Sequence, residues 1–177
     1  MDAVSSVTMK ALSTIQDVQN LSDQFGAKTL VARGGYSEVY RAEWVRSGAQ
    51  LASMNVCYKV LRPPISNMLS DVEQIEKTMK HLTREMKIWK SLDHGNIVEF
   101  IGFAIERRDG VPEAALVSEW CSNGNLVQYL QCKPSCSRLP LLLDVARGLT
   151  YLHDRDPVVV HGDLKPVGQH VFSMKPA

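Results

Sequence analysis

The sequence predicts an α+β protein: five strands with one long inserted helix, followed by a helical segment. Three observations carry this. Residues 28–120 hold five apolar or alternating runs separated by turn-forming residues. Between the third and fourth runs, Val72, Ile75, Met79, Leu82, Met86 and Trp89 recur at spacings of three and four, the apolar stripe of an amphipathic helix. After residue 120 a turn-rich linker, Cys121-Ser122-Asn123-Gly124-Asn125, leads into helical runs at 126–131 and 139–153.

Composition agrees with a globular chain. The 177 residues are 45% hydrophobic and 22% charged, which suits one domain, or one small domain with part of another. A net charge of +1 argues against a phosphate-neutralising surface, so nucleic acid is not an expected partner. No apolar run approaches the roughly 20 residues that span a bilayer, and no membrane partner is expected. Residues 1–20 lack a basic start followed by an apolar stretch, so they are not a secretory signal. Cys57, Cys121, Cys132 and Cys136 lack the spacing of a metal site and read as reduced thiols of a cytoplasmic or nuclear protein.

The elements follow in order. Residues 1–23 form a leader in which Val7, Leu12, Ile15, Val18 and Leu21 hint at a helix, but a loosely packed extension is the preferred reading. Strands at 28–32 and 38–44 flank Arg33-Gly34-Gly35-Tyr36-Ser37, and Arg46-Ser47-Gly48-Ala49 makes the next turn. The third strand, 51–61, puts Met54, Val56, Tyr58 and Val60 on one face and Asn55, Cys57, Lys59 and Leu61 on the other. Pro63-Pro64 ends it.

Ser70 with Glu73 suggests a capping box for the helix. Glu73, Lys77, Lys80, Arg84 and Lys87 occupy its polar face. Glu85 instead falls beside Leu82 and Trp89, at about 100° per residue. A carboxylate there needs a partner or an escape to solvent. Strands at 97–105 and 114–120 come next, joined by the hairpin signal Arg107-Arg108-Asp109-Gly110. In the helix 139–153, Leu141, Leu142, Leu143, Val145, Ala146, Leu149 and Leu152 cover most of the circumference, which predicts burial on all sides. Little chain follows His153 to supply that burial, so an incomplete domain is expected.

This order of features resembles the protein kinase fold from about Lys28 onward: a glycine-bearing turn, a strand with Lys59, a helix with Glu85, a linker, an apolar helix, then His161-Gly162-Asp163-Leu164-Lys165-Pro166. The segments Arg84-Glu85-Met86-Lys87-Ile88-Trp89, Leu92-Asp93-His94-Gly95-Asn96-Ile97-Val98, Leu116-Val117-Ser118-Glu119-Trp120-Cys121 and Asp144-Val145-Ala146-Arg147-Gly148-Leu149 look most like the tyrosine-kinase-like group, of Ser/Thr type. The resemblance implies a leader over 1–23, a kinase first lobe over 24–120 with a five-stranded antiparallel sheet, and a partial second lobe over 121–177.

It also implies site roles. Ala32, Gly34 and Ser37 stand at the three glycine positions of the phosphate loop, with only the middle glycine kept. Val39 and Cys57 would line the adenine pocket. Lys59 would meet the α- and β-phosphates of ATP, held by Glu85. Glu119 and Cys121 would offer hinge backbone groups, with Ser118 as gatekeeper. Asp163 would be the catalytic base and Lys165 would meet the γ-phosphate, while His161 packs the loop. The family's magnesium is expected, but Gly168 replaces its asparagine ligand and no Asp-Phe-Gly is present. Gly162 replaces the arginine before the catalytic aspartate.

Three readings therefore stand. One is a Ser/Thr-type kinase by ancestry, inactive as this chain alone. Another is a catalytically dead module that docks a protein partner. The last is a fragment without function.

Overall fold

The computed structural model describes residues 17–35, 37–45, 53–61, 71–108, 111–162 and 164. The chain divides into two units, Met1–Ser91 with Phe100–Trp120, and Leu92–Glu99 with Cys121–Ala177.

The first unit contains β1 (Phe25–Arg33), β2 (Ser37–Val45), β3 (Ser53–Leu61), α1 (Asp71–Lys90), β4 (Phe100–Arg108) and β5 (Val111–Glu119). The strands make one antiparallel sheet in the order β1-β2-β3-β5-β4. The five strands and the helix between the third and fourth are those the sequence predicts. Alternation sorts the strand residues onto two faces. Val56, Tyr58 and Val60 join Ala42, Trp44, Ala104, Ala115 and Val117 in one apolar cluster. On the other face Phe100, Phe103 and Leu116 meet Met79, Leu82 and Met86 of α1, with Leu61 and Trp89 packed alongside. Fully burying a leucine or methionine contributes about 1.5–3 kcal/mol, so Leu82 and Met86, both at 0% exposure, anchor the helix. Its Glu73, Lys77, Lys80, Arg84 and Lys87 are exposed, as the periodicity requires. The Ser70 cap, the Arg46–Ala49 turn and Pro63-Pro64 lie outside the described residues.

The leader departs from expectation. Described from residue 17, it is neither helical nor loose where it meets the sheet. Leu21 is fully buried in the first cluster and Val18 in the second. The Leu21 N–H donates to the Phe103 carbonyl at 2.8 Å, and the Phe103 N–H to the Gln19 carbonyl at 3.0 Å. Gly102 makes the approach possible, because a Cβ there would collide with the Gln19 carbonyl oxygen. The expected helix upstream, through Val7, Leu12 and Ile15, lies outside the described residues.

The second unit holds α2 (Leu126–Cys132) and α3 (Arg138–His153). α2 starts with a capping box: Asn125 accepts from the Gln128 N–H at 2.9 Å, and Gln128 accepts from the Asn125 N–H at 3.0 Å. The segment before β4 is tied to α3 by Tyr151, whose hydroxyl accepts from the Asp93 N–H at 3.0 Å and whose ring stacks on His94 at 4.8 Å. Contrary to the burial on all sides that its composition predicts, α3 is buried along one side. Leu141, Gly148 and Leu152 are buried, but Leu139, Leu142 and Leu143 are exposed, because no described element covers that side. No described helix is long and apolar enough to cross a membrane.

Candidate functional site

The β1–β2 hairpin carries the glycine-bearing turn. Arg33 and Glu38 face each other across its stems, and the Gly34 N–H donates to the Ser37 carbonyl at 2.8 Å. Neither Gly34 nor Gly35 has a positive φ. A Cβ on Gly34 would make only ordinary contacts with Ser37, and one on Gly35 would meet nothing within 4 Å. The hairpin's own fold therefore does not demand glycine at either position. What the two glycines leave is open space beside backbone amides, which suits a ligand that approaches the main chain closely.

Register places the remaining first-unit residues around this turn. Ala32 pairs with Val39, and Val39 pairs with Lys59 of β3. Cys57 lies two residues along the same strand face, with Ser118 of β5 opposite it. Val39, Cys57 and Ser118 are buried. Burial pushes the Cys57 thiol above its usual range, while the Ser118 hydrogen bond and the Lys59 charge pull the other way. Such a thiol stays protonated and unreactive near neutral pH.

Lys59 Nζ lies 3.5 Å from Glu85 Oε1, with the side chains 17% and 42% exposed. This answers the awkward carboxylate beside the apolar stripe: α1 turns Glu85 toward β3 and a cation meets it. An ion pair open to water contributes about 1 kcal/mol or less to stability. Its consequence is orientation, because it holds a long, flexible ammonium in one place.

Glu119 ends β5, and its Oε2 is buried with no hydrogen-bond partner among the described residues. Cys121 belongs to the second unit, where its carbonyl accepts from the Gly124 N–H at 3.0 Å. Asp163 and Lys165 lie outside the described residues. His161 and Gly162 are described, and Gly162 has φ of +73°, a conformation that favours glycine. Ala32, Gly34, Val39, Cys57, Lys59 and Glu85 thus fall within one unit. Sequence reasoning passed over Glu38, whose position opposite Arg33 across the turn was the available signal.

The model of the family described as protein tyrosine and serine/threonine kinase matches residues 26–166. The chain belongs to the protein kinase family. Among kinase relatives, it is 31% identical to serine/threonine-protein kinase VIK of Arabidopsis thaliana over 145 residues, covering 80% of this chain and 29% of VIK. It is 32% identical to serine/threonine-protein kinase CTR1 of the same plant over 152 residues, covering 82% of this chain and 16% of CTR1. It is 30% identical to salt tolerance receptor-like cytoplasmic kinase 1 of Oryza sativa subsp. japonica over 161 residues, covering 84% of this chain and 38% of that protein. The chain therefore spans well under half the length of these kinases. The resemblance to Ser/Thr-type, tyrosine-kinase-like kinases holds at the level of family and relatives.

Protein kinases in general use ATP and magnesium. The nucleotide suits the first-unit residues: open backbone at Gly34 and Gly35, and an oriented cation at Lys59. Magnesium suits the residues less well. Gly168 brings no side-chain oxygen donor, and no group of three or more His, Cys, Asp or Glu converges among the described residues.

Proposed function

We propose that this chain binds ATP through its first unit and is, by ancestry, a kinase acting on protein Ser/Thr hydroxyls. The observation that carries this reading is the Lys59–Glu85 contact at 3.5 Å. It joins a strand cation to a helix carboxylate that α1 has no packing reason to place there. In this reading Lys59 meets the α- and β-phosphates, Glu85 holds it, and the Gly34 and Gly35 backbone approaches the phosphates. Val39 and Cys57 flank the adenine ring, and Glu119 offers it a backbone group. Asp163 accepts the substrate hydroxyl proton, and Lys165 meets the γ-phosphate. ATP supplies the transferable phosphoryl group.

Gly168 favours a second reading within the family. With no side chain to hold magnesium there, nucleotide binding outlasts transfer, since phosphoryl transfer depends on the ion to offset phosphate charge. The chain alone is then expected to bind ATP and transfer little, and to act on a protein partner by docking.

Thermal unfolding with ATP, with and without magnesium, beside a Lys59→Ala variant tests both readings. Binding to the native state raises the midpoint by mass action. A rise that Lys59→Ala abolishes supports the ATP site, and phosphate incorporation into a protein substrate then separates kinase from docking module. A folded, soluble chain whose midpoint ATP does not move sinks the ATP-binding reading.

A further inference from the structure

The base of the glycine-bearing turn holds a carboxylate removed from water. Glu38, in β2 directly after Ser37, is 0% exposed. Arg33 Nε lies 2.8 Å from its Oε1, and the Tyr40 hydroxyl donates to its Oε2 at 2.8 Å. Both carboxylate oxygens are engaged. Arg33 ends β1 with its side chain 58% exposed, so the brace is buried at one end and open at the other.

Packing does not require an acid here. The β3 residue paired with Glu38 is Val60, part of the apolar cluster, and Tyr40 packs against the same cluster. Burying a carboxylate carries a large desolvation penalty, and an apolar side chain of similar volume is often as stable or more so. The compensation comes from Arg33 and Tyr40, and what their bonds achieve is geometric. Arg33 immediately precedes Gly34, and Glu38 immediately follows Ser37. Their ion pair ties the two stems of the turn together outside the Gly34–Ser37 hydrogen bond. Two consecutive glycines make this segment the most freely rotating of the hairpin, and a charge-assisted contact at its root restricts it.

We propose that Glu38, clamped by Arg33 and Tyr40, is a positioning residue that holds the glycine-bearing turn in the conformation that presents its backbone to nucleotide phosphates. This rests on the ATP-binding reading. Glu38 and its partners act through the turn and do not touch the ligand.

The test pairs Arg33→Met with Glu38→Gln in the full chain. Glu38→Gln keeps an acceptor for Tyr40 but removes the charge opposite Arg33, and it carries a risk of misfolding. Arg33→Met attacks the same brace from its exposed end, but it leaves the buried Glu38 carboxylate without its cation and so costs stability as well. Three quantities are read: the ATP dissociation constant, the thermal midpoint, and amide hydrogen exchange over residues 33–38 without nucleotide. The expected result for Arg33→Met is exchange at the turn and an ATP dissociation constant each raised about fivefold, together with a lowered midpoint, whereas Glu38→Gln, which leaves no buried charge, gives the same changes at the turn and in affinity with a smaller drop in midpoint. Arg33→Lys, which keeps the charge, recovers part of the loss. Exchange and affinity within twofold of wild type in Arg33→Met would overturn the proposal, as would a lowered midpoint with unchanged exchange at the turn. Should the wild-type chain fail to bind ATP, the nucleotide reading falls and the exchange measurement decides the brace by itself: acceleration sustains it and its absence overturns it.

Discussion

Replacing Glu85 with Gln leaves the shape of the side chain but removes the charge that meets Lys59. At 3.5 Å, two unit charges attract by about 5 kcal/mol in an effective dielectric near 20. The Glu85 side chain is 42% exposed, however, and water screens most of that attraction. The net tether is on the order of 1 kcal/mol, equivalent to about a fivefold shift in the population of oriented Lys59. Glu85→Gln should therefore weaken ATP binding about fivefold while lowering the thermal midpoint by no more than about 2–4 °C. Lys59→Ala removes charged hydrogen bonds to phosphate of about 1.5–3 kcal/mol, so it should cost roughly tenfold to a hundredfold in affinity. A fluorescent ATP analogue, titrated into wild type, both single variants and the double variant, completes a double-mutant cycle. If Glu85 acts only through Lys59, Glu85→Gln has no further effect in the Lys59→Ala background. Additive losses in the double variant, or a Glu85→Gln affinity equal to wild type, would refute the tether. So would a drop in midpoint as large as that from opening the core.

Three further outcomes follow from the geometry. Gly34→Val should leave chemical denaturation within about 0.5–1 kcal/mol of wild type, since neither φ nor crowding requires glycine, yet weaken ATP binding at least tenfold; a stability loss with intact binding would reverse that assignment. Gly102→Ala should cost about 1–3 kcal/mol by pushing the Gln19 carbonyl and buried Leu21 away from β4, whereas Gly95→Ala, with open space around it, should stay within about 0.5 kcal/mol. Finally, burial raises both the Cys57 thiol and, with Glu106 and Glu113 adding to it, the Tyr58 hydroxyl above their usual 9.0 and 10.0. Because the folded values exceed the unfolded ones, this stability is complete below about pH 9 and is lost as pH rises further. Denaturation series above pH 9 should show that decline, and Cys57→Ala should lessen its first part.

The strands, α1 and the positions of the first unit's candidate site residues are legible in the chain because each rests on a local pattern. Alternation in β3 separated Val56, Tyr58 and Val60 from Cys57 and Lys59, and the structure puts the first three in one apolar cluster. Spacing in α1 placed Met79, Leu82 and Met86 inward, and set Glu85 on the flank of that stripe. The family match then rested on the order of these features.

Other outcomes depended on partners distant in sequence. The sequence makes the leader look loose because nothing near Val18 and Leu21 announces that they fill gaps beside β4, about 80 residues away in the chain (a separation over which periodicity carries no information). The decisive residue is Gly102, whose missing side chain admits the Gln19 backbone. The leucines that nearly encircle α3 predict burial, but burial is a property of what packs against a helix, and no described element covers Leu139, Leu142 and Leu143. Glu38 looked like an ordinary polar strand residue until the hairpin register set Arg33 against it and the fold closed water out. By itself the sequence determined which residues could form each strand and helix and which charges stood at family positions, because period and order are properties of the chain. Only the tertiary structure decided which of those charges meet, which are sealed from water and where the leader lies, because contact and desolvation arise between segments that the chain brings together only on folding.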